Sequence, residues 1–378
     1  MKKRHLLFTL IAGLAVYSGA QEAPVGSAVS PSGVEAKALV LLKGKVKGFI
    51  VWSTSRSNSR HDLWVMNADG TDARQLTKGD QVDWFPRISP DGATVLFARS
   101  KFGWESEGDA DIFDKWDLWT IGTDGSNEKM AVENADWGTW RPAGDSIVFA
   151  RGPKVFIRAL AGGTEREIFD AEKSIQKKTN AQQPSLSPDG TLLAVTLRGN
   201  KRDCGIWNFA KSEWNSYGGG CQITWFPDGK RVLRMNEGQG NGSTEILAIN
   251  VNSDGKPADN IGGIGGVSDK VRFMDLPGRR SHEYFPKLDQ TGTWLVWGAT
   301  QFGHEHDLAD YEIYIWNIHT DKNKDFTRLT FHTGNDRWPD IFIGEPKQVK
   351  KDEVARPMNE LKDTAAIKAK PDSGEIKK

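Results

Sequence analysis

The His-dense stretch of the chain is His304-x-His306, set among Glu305, Asp307 and Asp310. Imidazoles one residue apart with carboxylates beside them make a donor set for a divalent transition ion such as Mn²⁺ or Zn²⁺. His282, further upstream, can approach the same place if the fold brings it there. The plainer alternative is a solvated polar loop whose histidines hydrogen-bond backbone. Asp109-x-Asp111-x-x-Asp114 offers the oxygen ligands Ca²⁺ takes, but it lacks the glycine and distal glutamate of an EF-hand loop, which favours a solvated acidic loop. Gly238-Gln239-Gly240-Asn241-Gly242 and Gly262-Gly263-Ile264-Gly265-Gly266 invite a phosphate-loop reading. Neither runs from a strand into a helix with Lys-Ser/Thr behind it, so both read as flexible inter-strand loops.

What must position these groups is a repeated hairpin. Phe85 to Ser89 meets Pro90-Asp91-Gly92, where proline pre-sets φ and glycine accepts φ > 0, and the β-rich run Thr94 to Phe97 returns. The turn recurs as Arg141-Pro142-Ala143-Gly144, Ser187-Pro188-Asp189-Gly190, Phe226-Pro227-Asp228-Gly229 and Asp289-Gln290-Thr291-Gly292. A third strand follows each pair, with a large aromatic in five of the six copies (Trp64, Trp119, Phe156, Trp207, Tyr314), and a more polar fourth strand ends the unit. Short antiparallel strands repeating at roughly 40 to 60 residues are the mark of propeller blades, which leave only short edges exposed. The expected fold is therefore all-β: a six-bladed β-propeller. The first blade lacks its innermost strand, and Trp338-Pro339-Asp340-Ile341-Phe342-Ile343 has no blade to follow it. The C-terminal strand is thus expected to pair with the first blade and close the ring.

Such a topology sorts the loops onto two faces. The long loops lie on the face that joins strand two to three and strand four to the next blade. Loops on a rigid scaffold are where function usually sits, so Asp83, Trp104, Asp136, His282, Glu283, Asp336 and Arg337 are expected around the channel mouth there. His304, His306, Asp307 and Asp310 form the candidate metal set, for Ca²⁺, Mn²⁺ or Zn²⁺.

Ser-Pro-Asp-Gly before an apolar strand, followed by Asp-Leu-Trp-x-Met-Asn-x-Asp-Gly, resembles the TolB-type (WD40-like) propeller repeat from about Phe49 to Gly344. The resemblance implies a binding propeller of the cell envelope that grips a protein or peptide. It covers the propeller half only, because Gln21 to Gly48 leaves no room for the N-terminal α/β domain of TolB. Oligogalacturonate lyases share this repeat class and hold a metal through propeller histidines. That implies the alternative: a metal-dependent lyase or hydrolase acting on a polar, carbohydrate-like substrate through the His304/His306 loop. No Gly-x-Ser-x-Gly elbow or α/β-hydrolase segment is present, which excludes a propeller-gated peptidase.

The 378 residues balance 50 Lys and Arg against 50 Asp and Glu, so no field draws in nucleic acid. A basic start, the apolar run Leu6 to Val16 and Ser18-Gly19-Ala20 read as a secretory signal peptide over residues 1–20, cleaved after Ala20. No later run is long enough to span a bilayer. The expected product is periplasmic or secreted. Residues 21–38 read as a leader, 39–344 as the propeller and 345–378 as a disordered charged tail. Cys204 and Cys221 are expected to form a disulfide in an oxidising compartment.

Overall fold

The computed structural model describes residues 26–237, 244–259, 270–278, 280–301 and 305–347. The expected signal peptide, the tail from residue 348 on, both glycine-rich segments and His304 lie outside the described residues.

Six four-stranded antiparallel sheets make the molecule. Their innermost strands are Asp336–Ile343, Asp83–Ile88, Asp136–Trp140, Thr179–Leu186, Cys221–Trp225 and His282–Leu288, in blades one to six. Closure is as expected: Asp336–Ile343 pairs antiparallel with Gly48–Thr54, from Gly48 opposite Ile343 to Thr54 opposite Asp336. The first sheet is thus built from both ends of the described chain. Each one-two turn follows the chemistry of its residues. Gly92, with φ of 76°, donates its N–H to the Ser89 carbonyl at 2.8 Å, while Asp91 accepts from the Ser89 hydroxyl at 2.5 Å and from Ala93 N–H at 3.0 Å. Glycine tolerates the left-handed residue that ends this hairpin loop.

Of the third-strand aromatics Tyr314 is buried. The fully buried tryptophans are Trp52, Trp84, Trp116, Trp297 and Trp338, none of them at the marked third-strand position. There Trp64, Trp119, Phe156 and Trp207 are only half-buried. Three of them carry an arginine lid. Arg56 lies 4.9 Å over Trp64, Arg99 lies 4.8 Å over Trp119 and Arg151 lies 5.2 Å over Phe156. Guanidinium on an aromatic face is favourable while the cation keeps its outer side wet.

A helix at Gly33–Leu42 precedes the first strand, and the expected boundary at residue 39 falls inside it. Its start carries a capping box: Glu35 N–H donates to the Ser32 hydroxyl and Ser32 N–H to the Glu35 carboxylate. Leu39 and Leu42 dock on Leu329 and Ile341, while Val34, Val40 and Leu41 remain exposed.

Candidate functional site

Each innermost strand slips register at one point, and at each slip a non-glycine residue adopts positive φ. They are Trp338 (54°), Phe85 (52°), Trp137 (54°), Gln183 (54°), Gln222 (59°) and Phe285 (61°). The slips fall between the partners Val51/Ser53, Trp84/Arg87, Asp136/Thr139, Gln182/Ser185, Cys221/Thr224 and Tyr284/Lys287. A bulge re-aims a side chain, and a bulky residue in this region costs of order 1–3 kcal/mol unless its surroundings hold it. Here the axis holds it. Phe285 meets Trp338 in a tilted pair with ring centroids 4.3 Å apart, Trp338 meets Phe85 at 4.9 Å, and Phe85 meets Trp137 at 5.0 Å. Trp137 of blade three also reaches Trp338 of blade one at 5.7 Å, a contact that skips a blade and so crosses near the centre. The two glutamines continue the series from blade four to blade six by hydrogen bonds. Gln183 accepts from Gln222 N–H at 3.0 Å, and Gln222 accepts from Phe285 N–H at 2.5 Å. An aromatic and amide plug fills the middle of the canal.

On its loop side the plug is covered by a buried ionic latch. Arg337 is fully buried, and its Nη1 donates to Glu107 at 3.1 Å, to Asp307 at 2.7 Å and to the His306 carbonyl at 2.9 Å. Glu107 also accepts from Trp338 Nε1 at 2.8 Å and meets His306 Nδ1 at 2.5 Å. Asp307 accepts from the Ser106 hydroxyl at 2.5 Å. The long loops of blades two and six therefore meet over blade one. The blade-two loop also reaches blade four, where Gln182 donates to Asp111 at 2.8 Å. Burial alone would raise the Asp307 carboxyl, but Arg337, the Ser106 hydroxyl and the Glu107 amide together hold it below its ordinary range. His61, stacked on Trp104 beside this latch, is kept neutral by burial and by Arg337.

The expected mouth residues are all on this side, but most are spent on the fold. Asp83 is clamped by Arg99, at 2.6 and 2.8 Å. Asp336 accepts from Trp52 Nε1 at 3.0 Å and from Arg56 at 2.9 Å. Asp136 accepts from Trp137 N–H at 2.5 Å and Glu283 from Leu276 N–H at 2.6 Å, each through one oxygen. Burial pushes both carboxyls well up. Trp104 and His282 are half-buried. Arg337 is the centre of the latch rather than a ligand at an open rim.

The expected metal set is not assembled among the described residues. His306 turns to Glu107, Asp307 to Arg337, and Asp310 to Arg280 at 2.8 Å. Within those residues no three His, Cys, Asp or Glu side chains come together to hold an ion. The Asp109 run is likewise dispersed, with Asp109 on Lys115 at 2.8 Å and Asp111 on Gln182.

The expected disulfide is absent: Cys204 and Cys221 are free thiols, both buried. Cys221 opens the innermost strand of blade five rather than trailing the fourth strand of blade four. Its backbone follows blade five, pairing with Met235, while Cys204 sits opposite Thr196 in blade four. Burial pushes Cys204 up to about 11 and Cys221 up to about 12.

Sequence reading missed Glu107 as the hub and the axial glutamines. The signal available was the shared entry of Trp84-Phe85-Pro86 and Tyr284-Phe285-Pro286, which marks the bulge.

No family model matches the chain. A curated relative, the uncharacterized protein Atu1656 of Agrobacterium fabrum, is 25% identical over 145 residues, 34% of this chain and 44% of that protein. The match thus spans less than half the length of that relative. Among solved structures, TolB from Acinetobacter baumannii superposes with a TM-score of 0.54 at 13% identity, covering 81% of this chain and 70% of that one. Hydrazine synthase from Kuenenia stuttgartiensis gives 0.44 at 16%, over 69% and 72%. The likeness to TolB is one of fold: a TolB-like six-bladed propeller. Among the described residues no helix is long and apolar enough to cross a membrane.

Proposed function

We propose that this chain is an exported binding module of the cell envelope, periplasmic or secreted, and that its partner is a protein docked on the loop face. The carrying observation is a set of exposed apolar side chains on the two latched loops. Phe102 is 80% exposed, Ile112 45% and Leu308 37%. Large apolar groups presented on a rigid rim are suited to anchoring a protein partner. The latch supports the same reading, since loops already held in place lose little conformational freedom on binding. The signal-peptide pattern of residues 1–20 supports export, and the TolB-like fold is compatible with a protein-binding role. The proposed domain division is a signal peptide over residues 1–20, a leader over 21–38, the propeller over 39–344 and a charged tail over 345–378.

The test is site-specific photo-crosslinking in the source cell. A crosslinker at position 102 or 308 is expected to trap one defined envelope protein, identified by mass spectrometry. A crosslinker at Lys230, exposed on the one-two turn of blade five at the opposite face, is expected not to. Equal trapping at all three positions, or none at 102 and 308, would overturn the proposal.

A further inference from the structure

Beyond the plug, toward the one-two turns, the canal has a second end. The strand residues two after each bulge are Asp340, Arg87, Thr139, Ser185, Thr224 and Lys287, in blades one to six. Each occupies the same register position, so together they ring the axis. Two cations and three hydroxyls stand there against one carboxylate.

The cations are not matched by an ion pair among the described residues. Among the described residues neither Arg87 nor Lys287 has a carboxylate within ion-pair distance. Arg87 donates to the Pro86 carbonyl at 2.7 Å and lies 3.7 Å over the Phe85 ring. The hydrogen bond of Lys287 is a long one, 3.4 Å to the Thr224 hydroxyl. Asp340 sits between them in the ring, but its oxygens accept from Ile88 N–H at 2.8 Å and Ile341 N–H at 3.0 Å. The turn aspartates at this end are also engaged locally: Asp91 by Ser89, Asp189 by Ser187 and Thr191, and Asp289 by Thr291 and Thr293. Enclosure lowers both cations, Arg87 to about 10 and Lys287 to about 8, and Asp340 offsets this only in part.

A half-buried, unpaired guanidinium and ammonium, with hydroxyl donors opposite, suit one kind of ligand. We propose that the turn-side end of the canal binds an oxyanion group, held by Arg87 and Lys287 with the Ser185 and Thr224 hydroxyls completing its shell. The guanidinium fork supplies paired donors and the ammonium a point charge. The rotatable hydroxyls accommodate either a planar carboxylate or a tetrahedral phosphate. This site lies at the opposite end from the loop face and stands independently of the partner proposed there.

The experiment uses the full chain and the reactivity of Lys287. At pH 7.5, amine acetylation is followed residue by residue by mass spectrometry while inorganic phosphate, or in a separate arm acetate, is titrated in. Labelling of Lys287 is expected to fall saturably in at least one arm, with a dissociation constant at or below about 1 mM. Lys177, an exposed lysine outside the canal, is the control and should not change. The arm that protects identifies the class of oxyanion. Arg87→Met is expected to weaken protection at least about tenfold. Arg87→Lys keeps a cation over Phe85 and serves if the first variant does not fold; it should also bind more weakly, having lost the fork. Protection in neither arm, protection equal to that of Lys177, or unchanged affinity in the folded Arg87 variant would overturn the proposal.

Discussion

Removing the Arg337 side chain is the most direct test of the axial latch. Arg337→Met keeps much of the volume but leaves Glu107 and Asp307 buried beside each other without their shared cation. Breaking a buried pair by removing one partner costs about 3–5 kcal/mol. Two guanidinium nitrogens, Nε and Nη2, have no partner among the described residues, and their removal offsets part of that loss. The expected net is therefore near the low end, about 3 kcal/mol. Urea unfolding followed by tryptophan fluorescence measures it, because the plug carries Trp84, Trp137 and Trp338 around Arg337. The midpoint should fall with the slope m unchanged. Adding Glu107→Gln should recover part of the loss, with a coupling of about 1 kcal/mol or more, since the carboxylate would no longer need its cation. A loss under about 1 kcal/mol at constant m, with no coupling to Glu107, would refute the claim that the latch is held by buried charge. A second readout separates local from global effects. Trypsin cleavage after Lys101 or Lys115 should rise in Arg337→Met under native conditions, because the blade-two loop loses its anchor.

Three further outcomes follow from the same geometry. Phe85→Ala should destabilise by about 3–5 kcal/mol, because that ring meets Trp84, Trp137 and Trp338 at the axis; a urea midpoint close to that of the parent would contradict the plug. Asp62 is raised by burial and by Asp83 from 3.8 to about 7. The folded chain thus holds this proton more tightly than the unfolded one, so the contribution of Asp62 is fully present below pH 3.8 and is lost as pH rises to about 7. Asp62→Asn should flatten the decline in stability over that window, and an unaltered pH profile would count against the assignment. Cys204 and Cys221 should resist alkylation in the native protein and take up two labels only on unfolding without reductant; a mass showing an oxidised pair would contradict the free-thiol assignment.

The architecture was legible because its signals are local and repeat. Pro-Asp-Gly turns set the hairpins, and each copy of the motif carries the same instruction for φ at glycine. The incomplete first blade and the surplus strand at Trp338 pointed to closure from hydrophobic pattern alone. The helix at Gly33–Leu42 was readable in principle from Ser32 and Glu35, but its mixed composition hid it. Of the expected metal set His304 lies outside the described residues, and His306, Asp307 and Asp310 each face another partner. Adjacent donors in sequence say nothing about which partner each will face, and here Glu107, Arg337 and Arg280 arrive from elsewhere in the chain. The disulfide expectation rested on an even cysteine count alone, and the two thiols are free and buried.

Residue order alone determined the blade, its turns, the number of repeats and the strand that seals the ring, because each rests on contacts between near neighbours or on a period. Which charges were consumed and which left free was decided only in three dimensions. Glu107 and Arg337 are 230 positions apart, yet share one hydrogen bond over the axis, while Arg87 and Lys287 stand beside Asp340 without pairing to it. Burial and Coulomb interaction act through space, and the ring brings six strands to one line before either can be assessed.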